Sequence, residues 1–282
     1  MIYCHADVFS SKSLSGNGLT VIIHEEELDT QYMQRTAQEF KQFETIFLKQ
    51  VGEKRFRARI FTVEEELDFA GHPILGAVAT VHENLYSEES RITTVFELNK
   101  KTLQSETIKK DKYYHATMNQ GIPEFLGTVE GEGKAMFLQA LNLTADNLHP
   151  TLPIEVVSTG LPYLIVPLTS GLGQAKISVR NFEALLSKVN AKFVYVFDVD
   201  KMEGRTWDNS GAVEDVATGS AAGPTGAYLF KRGFCNATEK INISQGDFVG
   251  RPSIITVFAD QSTGEIKVAG DVKIVARGQL FV

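Results

Sequence analysis

Glu44 stands in an apolar stretch of the sequence, where a carboxylate is an unusual residue. The stretch runs from Phe43 to Phe47 and indicates a strand. A carboxylate in partly apolar surroundings can take a proton from carbon and return it, once its pKa rises towards neutrality. Glu44 is therefore a candidate proton-transferring group. The alternative is an ordinary solvated glutamate.

Two glycine turns stand directly before segments that are apolar on nearly all sides. The first is Gly71-His72-Pro73 and the second is Gly219-Ser220. Free backbone N–H groups and the helix dipole at such a start favour an anion, so each turn is a candidate site for a substrate carboxylate. The alternative is a capped helix start, in which Ser220 caps the backbone and Pro73 occupies the first turn.

Two further side chains could act on the same substrate. His72 could donate a hydrogen bond or relay a proton, and Asp215 could accept from a substrate amine or hydroxyl, or orient His72. The sequence has no glycine-rich phosphate motif that opens a helix and no Walker lysine. Its His, Cys and carboxylate residues also lack metal-ligand spacing. We therefore expect no nucleotide and no metal.

The composition is that of an ordinary globular protein. The 282 residues are 43% hydrophobic and 22% charged, with a net charge of -7. This balance argues against nucleic acid, because phosphate backbones are bound by clustered Lys and Arg. The N-terminus lacks a signal-peptide pattern, and the longest apolar stretch, around 161–168, is too short to span a bilayer. We therefore expect a cytoplasmic protein without a membrane partner.

The first half of the chain alternates strand-like and helix-like segments. Alternating apolar runs predict strands at 19–23, 45–48 and 56–61. Asp29 can cap a helix between the first two of these strands. The segment 72–81 is apolar nearly all round, which predicts a buried helix enclosed by sheet.

The second half repeats this mixture of strands and helices. Its strands are expected at 154–158, 164–167, 193–198 and several places after 241. Asn181 can cap a surface helix, and the segment 220–230 predicts a second buried helix. We therefore predict two similar domains, 1–120 and 121–282, with the last strand, about 272–282, crossing back to the first.

The motifs together resemble the PhzF family, named for phenazine biosynthesis, in the diaminopimelate-epimerase-like superfamily. Any one of them is weak evidence, whereas the ordered set is specific because it covers nearly the whole chain. In chain order they are Asp7-Val8-Phe9 with Gly16-Asn17, Phe43 to Phe47, Arg59 to Thr62, Phe69 to Pro73, Ser158 to Pro162 and Glu214 to Gly223.

The resemblance implies an α+β fold of two pseudo-symmetric domains. Each is a curled, mostly antiparallel sheet around a central buried helix, and the active site lies in the cleft between them. The resemblance also implies a homodimer without a cofactor. The family's namesake isomerises a dihydro-hydroxyanthranilate by moving a proton between ring carbons, using a glutamate that matches Glu44. The other expected catalytic residues are His72, Asp215 and Ser220, and the expected substrate-binding residues are Gly71, Gly219, Gly16 and Asn17.

The chain departs from the family pattern beside the glutamate. Where the family usually has Asn, one residue and then Ser, this chain has Lys41-Gln42-Phe43. The residue next to the carboxylate is thereby changed from a hydroxyl to an aromatic ring. The identity of the substrate does not carry over, and we expect only that it is a small carboxylated molecule.

Three functions are compatible with these residues. The first is a cofactor-independent isomerase that shifts a proton between carbons by general acid/base catalysis in the interdomain cleft. The second is an epimerase or racemase of a small amino or hydroxy acid; its two-thiol form is disfavoured, because neither Cys4 nor Cys235 lies in a glycine turn before a buried helix. The third is a non-catalytic binding protein for a small anion on the same scaffold.

Overall fold

A computed structural model describes residues 1–281, and it shows a mixed α and β architecture in two compact units. The first unit comprises Met1–Asn119 and the C-terminal residues from Ala269 onward, and the second comprises Gln120–Val268. The mixed architecture predicted from the sequence is confirmed. Within residues 1–281, no helix has both the length and the apolar character needed to cross a membrane.

The first unit contains eight strands and two helices that follow one another from the N-terminus. The strands are β1 (Ile2–Val8), β2 (Asn17–His24), β3 (Glu44–Gly52), β4 (Arg55–Phe61), β5 (Glu66–Leu67), β6 (Arg91–Glu97), β7 (Thr102–Lys109) and β8 (Tyr114–Gly121), which ends in the second unit. The helices are α1 (Thr30–Phe40) and α2 (Gly71–Leu85).

The second unit continues with further strands and three helices. Its strands are β9 (Glu124–Thr128), β10 (Glu155–Ser158), β11 (Pro162–Leu168), β12 (Phe193–Asp198), β13 (Glu203–Arg205), β14 (Ile241–Gln245) and β15 (Ser253–Ala259). Its helices are α3 (Gly131–Ala140), α4 (Phe182–Ser187) and α5 (Gly219–Lys231). The last strand, β16 (Ile266–Gln279), begins here, and most of its residues belong to the first unit, where it pairs antiparallel with β1.

The two units repeat one order of strand pairing. In the first unit, β1/β2 is antiparallel, β2/β3 parallel, β3/β4 antiparallel, β4/β6 parallel and β6/β7 antiparallel. In the second, β10/β11, β11/β12, β12/β13, β13/β14 and β14/β15 follow the same succession. Parallel neighbours need a crossover connection. The four crossovers contain α1, α2, α4 and α5.

The two helices α2 and α5 connect equivalent parallel pairs, and both are largely buried. Twelve of the 15 residues of α2 and ten of the 13 residues of α5 are buried. Each carries a glycine where the helix approaches a strand: a Cβ on Gly76 would lie 2.3 Å from Leu19 Cδ2, and one on Gly226 would lie 2.4 Å from Val257 Cγ1. The close approach requires glycine at both positions. That the two helices are the equivalent centres of two domains stays a prediction.

Helix α1 packs on the opposite face of the first unit's sheet. It begins after Asp29, whose carboxylate accepts a hydrogen bond from the Tyr32 N–H at 2.8 Å, so the predicted cap is present. The predicted cap of α4 is absent, because Asn181 precedes that helix without a side-chain capping bond. The buried residues beneath α1 form one apolar cluster: Ile22, Met33, Ala37, Phe47 and Phe61.

Helix α1 ends at Phe40, and the next residue, Lys41, adopts a left-handed backbone conformation with φ 52° and ψ 31°. Asparagine and glycine tolerate this conformation better than lysine does. We expect Lys41→Asn to raise the free energy of unfolding by about 0.5 kcal/mol, measured by urea denaturation. Gln42→Asn is the control, because Gln42 is not left-handed. An equal gain in both variants would contradict this explanation.

Candidate active site

Glu44 and His72 lie together in the first unit. Glu44 is the first residue of β3, and His72 is the second residue of α2. The Glu44 Oε2 and His72 Nε2 atoms are 3.2 Å apart, and the side chains are only 17% and 6% exposed. This contact is close, although the two atoms are not aligned as a hydrogen bond. Two of the four predicted catalytic residues therefore form one buried pair.

The register of the sheet explains why Glu44 meets α2. Glu44 pairs with Leu19 on the parallel strand β2, so the two side chains point to the same face. The close approach of Gly76 to Leu19 shows that α2 covers that face. Glu44 therefore stands at the end of the covered face, beside the first turn of the helix that carries His72.

The burial of His72 determines its charge. Removal from water lowers the pKa of His72 to about 3, because a desolvated imidazolium is unfavourable. The imidazole is therefore neutral at physiological pH, although a carboxylate lies next to it. The Glu44 carboxylate therefore has an uncharged ring as its neighbour.

The remaining predicted residues of the first unit lie at turns or strand ends. Gly16 has φ 71°, and a Cβ there would lie 2.4 Å from the Val8 carbonyl oxygen, so the turn into β2 requires glycine. Asn17 is fully buried at the start of β2, on the face that carries Leu19. Gly71 is buried and begins α2. Phe43, which precedes Glu44, is 39% exposed.

Asp215 is held by a network of buried side chains in the second unit. Thr218 Oγ1 donates to Asp215 Oδ2, and Gln245 Nε2 donates to the Asp215 carbonyl at 2.9 Å and to Thr218 Oγ1 at 3.0 Å. Gln245 Oε1 accepts from the Thr218 N–H at 3.1 Å and from the Tyr195 hydroxyl at 3.0 Å. Gln245 thus uses both amide protons and its oxygen to fix the segment before α5.

Ser220 lies in the first turn of α5 and does not cap it. The N-cap residue is Thr218, which makes no side-chain capping bond, and the Ser220 hydroxyl is 2.8 Å from that of Tyr163. The capped-start alternative for this turn is therefore wrong. The neighbouring Gly219 has no side chain, and its backbone carbonyl accepts a hydrogen bond from Gln120 Nε2 at 2.9 Å. These contacts position the backbone of the turn.

A buried ion pair anchors the other side of the Asp215 segment. Arg205 binds Glu214 through two hydrogen bonds of 2.9 and 2.7 Å, and it also donates to the carbonyls of Leu172 and Ala175. The fork geometry of a guanidinium suits this bidentate contact. Because Glu214 precedes Asp215 directly, the pair restricts where the Asp215 carboxylate can lie.

Comparisons with known proteins place the whole chain in one family. The family model described as "Phenazine biosynthesis-like protein" matches residues 6–278. The chain belongs to the phenazine biosynthesis-like family. The resemblance inferred from the motifs is thereby confirmed.

Several known proteins match the chain along nearly their whole length. A trans-2,3-dihydro-3-hydroxyanthranilate isomerase of Pseudomonas chlororaphis is 32% identical, covering 99% of both chains. An uncharacterized isomerase of Clostridium acetobutylicum is 30% identical, covering 98% of this chain and 96% of that protein. The structure of a predicted epimerase from Pseudomonas aeruginosa is 43% identical, with a TM-score of 0.94, covering 100% of this chain and 99% of that one.

Several residues that hydrogen-bond around Asp215 and Ser220 were not identified from the sequence. Thr218 lies inside a recognised motif, but nothing in the motif distinguishes its hydroxyl from others. Gln245 had a detectable signal: in β14 the inward positions Ile241 and Ile243 are apolar, and Gln245 is the polar residue at the next inward position. Tyr163 follows the Ser158 to Pro162 motif without a signal of its own. A polar residue at a buried strand position thus indicates a hydrogen-bonded network in the interior.

Neither cysteine lies in a glycine turn before a buried helix. Cys4 is buried in β1, and Cys235 follows α5, where burial and the nearby Glu239 raise its thiol pKa. A raised pKa lowers the thiolate fraction and hence the nucleophilicity of Cys235. Among residues 1–281, no group of three or more His, Cys, Asp or Glu side chains is arranged to hold a metal ion.

The network around Gln245 predicts a large loss of stability on truncation. Gln245→Ala leaves the Thr218 N–H and the Tyr195 hydroxyl without their buried acceptor, and each orphaned group costs about 1–3 kcal/mol. We expect the free energy of unfolding of the second unit to fall by at least about 2 kcal/mol, measured by urea denaturation. Asn242→Ala is the control, since Asn242 is exposed on the same strand. Similar losses for the two variants would show that the network is dispensable.

Proposed function

We propose that the protein is a cofactor-independent isomerase that moves a proton between carbon atoms of a small carboxylated substrate. The observation that supports this most directly is the Glu44–His72 pair, a carboxylate beside an imidazole that stays neutral. The full-length relatives cited above are named isomerases, which supports the reaction class. The overall reaction needs no oxidant or reductant, because one proton leaves a carbon and one returns.

Glu44 carries the proton in this mechanism. Its carboxylate takes the proton from the first carbon, holds it as a carboxylic acid, and delivers it to the second carbon. His72 remains neutral throughout, since its pKa of about 3 keeps the proton off the imidazole.

We propose that the second unit supplies the groups that hold the substrate. Gly219 and Ser220 are the first two residues of α5, and their backbone N–H groups can bind a substrate carboxylate. The Asp215 carboxylate can accept a hydrogen bond from a substrate amine or hydroxyl. Hydrogen bonds from Gln245 to the Asp215 carbonyl and from Arg205 to Glu214 fix this segment, which supports a role in positioning the substrate.

The substrate class follows from these groups rather than from a named compound. The Pseudomonas chlororaphis relative is named for a ring that carries a carboxylate, an amine and a hydroxyl. Each of these three groups has a counterpart in the Asp215 to Ser220 segment. The exposed Phe43 beside Glu44 adds an apolar surface that favours a substrate with an unsaturated or ring body. We further propose a homodimer, as the family resemblance implies, which light scattering would test.

Epimerisation is the second candidate, and one observation favours it. The 43% identical structure from Pseudomonas aeruginosa is that of a predicted epimerase. An epimerase would return the proton to the same carbon from the opposite face, and it would therefore need a second acid beside Glu44. In D₂O, epimerisation places deuterium at a stereocentre without moving a double bond, so the position of the label separates the two reactions.

Glu44→Gln tests the proposed base. The amide preserves shape but cannot accept and return a proton, so we expect turnover of trans-2,3-dihydro-3-hydroxyanthranilate in D₂O to fall by at least about 10²- to 10⁴-fold. Binding of the same compound, measured by titration calorimetry, should change little. Glu39→Gln is the matched control, because Glu39 is an exposed residue of α1.

Two results would bear against parts of this proposal. Wild-type rates in Glu44→Gln would remove Glu44 as the base. Absence of turnover in the wild-type protein, with binding retained, would reject this compound as substrate and favour a binding protein; screening of other small carboxylates for exchange in D₂O would then decide whether any turnover exists.

A further inference from the structure

A cavity lies within the first unit, on the face of the sheet opposite Glu44. Its volume is about 310 Å³. It opens beside α1 and the loop before it, and it is bounded by strands β2, β3 and β4. Cavities of this size accommodate small ligands. The residues that line it are His24, Glu27, Leu28, Met33, Phe47, Lys49, Arg57, Arg59 and Asn99.

The sheet register brings three cations to this cavity. Lys49 pairs with Arg57 across β3 and β4, and Phe47 pairs with Arg59, so these four side chains share one face. Ile46 and Leu48 alternate with them and point to the face that carries Glu44. The cavity therefore combines a cationic wall with an apolar floor, and it is separated from the Glu44–His72 pair by the thickness of the sheet.

Two of the three cations already have carboxylate partners. Lys49 binds Glu27, and Arg59 binds Glu66 through two hydrogen bonds of 2.8 and 2.6 Å. Arg57 differs in its hydrogen bonding: the nearby Glu66 attracts it and has its pKa lowered in part by that charge, but the single hydrogen bond of the Arg57 guanidinium within residues 1–281 goes from Nη2 to the neutral Asn99 Oδ1 at 2.9 Å. Its remaining N–H groups are available to an incoming anion.

The other side of the cavity is apolar, with one polar exception. Met33 and Phe47 are buried floor residues, and Leu28 borders them. His24 is buried as well, and its Nδ1 lies 2.8 Å from the Glu26 carbonyl. A carbonyl only accepts, so Nδ1 carries the proton and Nε2 is the bare nitrogen. Burial lowers the pKa of His24, which favours the neutral imidazole.

We propose that this cavity is a binding site for a small carboxylate with a short apolar body, distinct from the proposed catalytic residues. The carboxylate binds the Arg57 guanidinium, the group whose planar fork matches it, with Lys49 nearby. The apolar body rests on Met33 and Phe47. A bound negative charge near His24 also favours the protonated imidazole, so occupancy raises the pKa of His24.

Butyrate is a suitable probe because it has this charge and a short chain. We expect butyrate to bind the full-length protein in the millimolar range by ligand-observed NMR, while n-butanol, which lacks the charge, does not bind measurably. Arg57→Gln should weaken butyrate binding by roughly tenfold or more, as expected for loss of a charge-assisted hydrogen bond. Arg55→Gln is the matched control: Arg55 lies two residues away on β4 and binds Glu97 rather than lining the cavity.

A second measurement does not depend on any variant. In the wild-type protein, saturating butyrate should move the NMR titration midpoint of His24 to higher pH. Equal weakening by Arg55→Gln and Arg57→Gln, an unchanged His24 midpoint, or equal binding of butanol and butyrate would each overturn the proposal. Inorganic phosphate that binds more tightly than butyrate would likewise overturn the assignment of a carboxylate with an apolar body.

Discussion

The proposed mechanism rests on the 3.2 Å contact between the Glu44 carboxylate and a desolvated His72 imidazole. In water, the two groups would share a proton as an ion pair, with the charge on the imidazole. Burial works against this charge, because a desolvated imidazolium is unfavourable, and His72 is therefore a neutral neighbour of Glu44. A carboxyl group placed in this way can both remove and return a proton.

The fold explains how such a buried polar pair is held. Helix α2 is apolar along nearly its whole length and lies against the strands, so its first turn has a fixed position relative to the strand end that carries Glu44. The second unit has the same succession of antiparallel and parallel pairs. Its crossover from β13 to β14 contains α5, which carries Ser220 in its first turn. Repetition of one topology thus delivers two helix starts, each with polar residues, from similar local sequences.

Much of this arrangement could be predicted from the sequence, and the reason differs between residues. The apolar helices containing Gly76 and Gly226 were detectable because burial on all sides leaves a continuous apolar pattern. Glu44 was detectable as a carboxylate inside an apolar strand. The 3.2 Å contact of Glu44 with His72 was not, since 28 positions separate them in the chain and only the parallel register of β2 with β3, beneath α2, brings them together.

Gln245 was missed because its role depends on partners from β12 and the segment before α5. The cationic cavity was missed for a similar reason: Lys49 and Arg57 become neighbours only through the pairing of β3 with β4.

The protonation state of His72 is the property on which the mechanism depends, and it can be observed directly. In uniformly ¹⁵N-labelled protein, the ring nitrogen shifts of His72 can be followed from pH 8 to pH 4, with assignment by the loss of its signals in His72→Gln. Both ring nitrogens should keep the shifts of a neutral imidazole over this whole range, because burial lowers the pKa of His72 to about 3. A titration near the ordinary histidine value of about 6.5, or above it, would place the proton on His72 and contradict the assignment of Glu44 as its carrier.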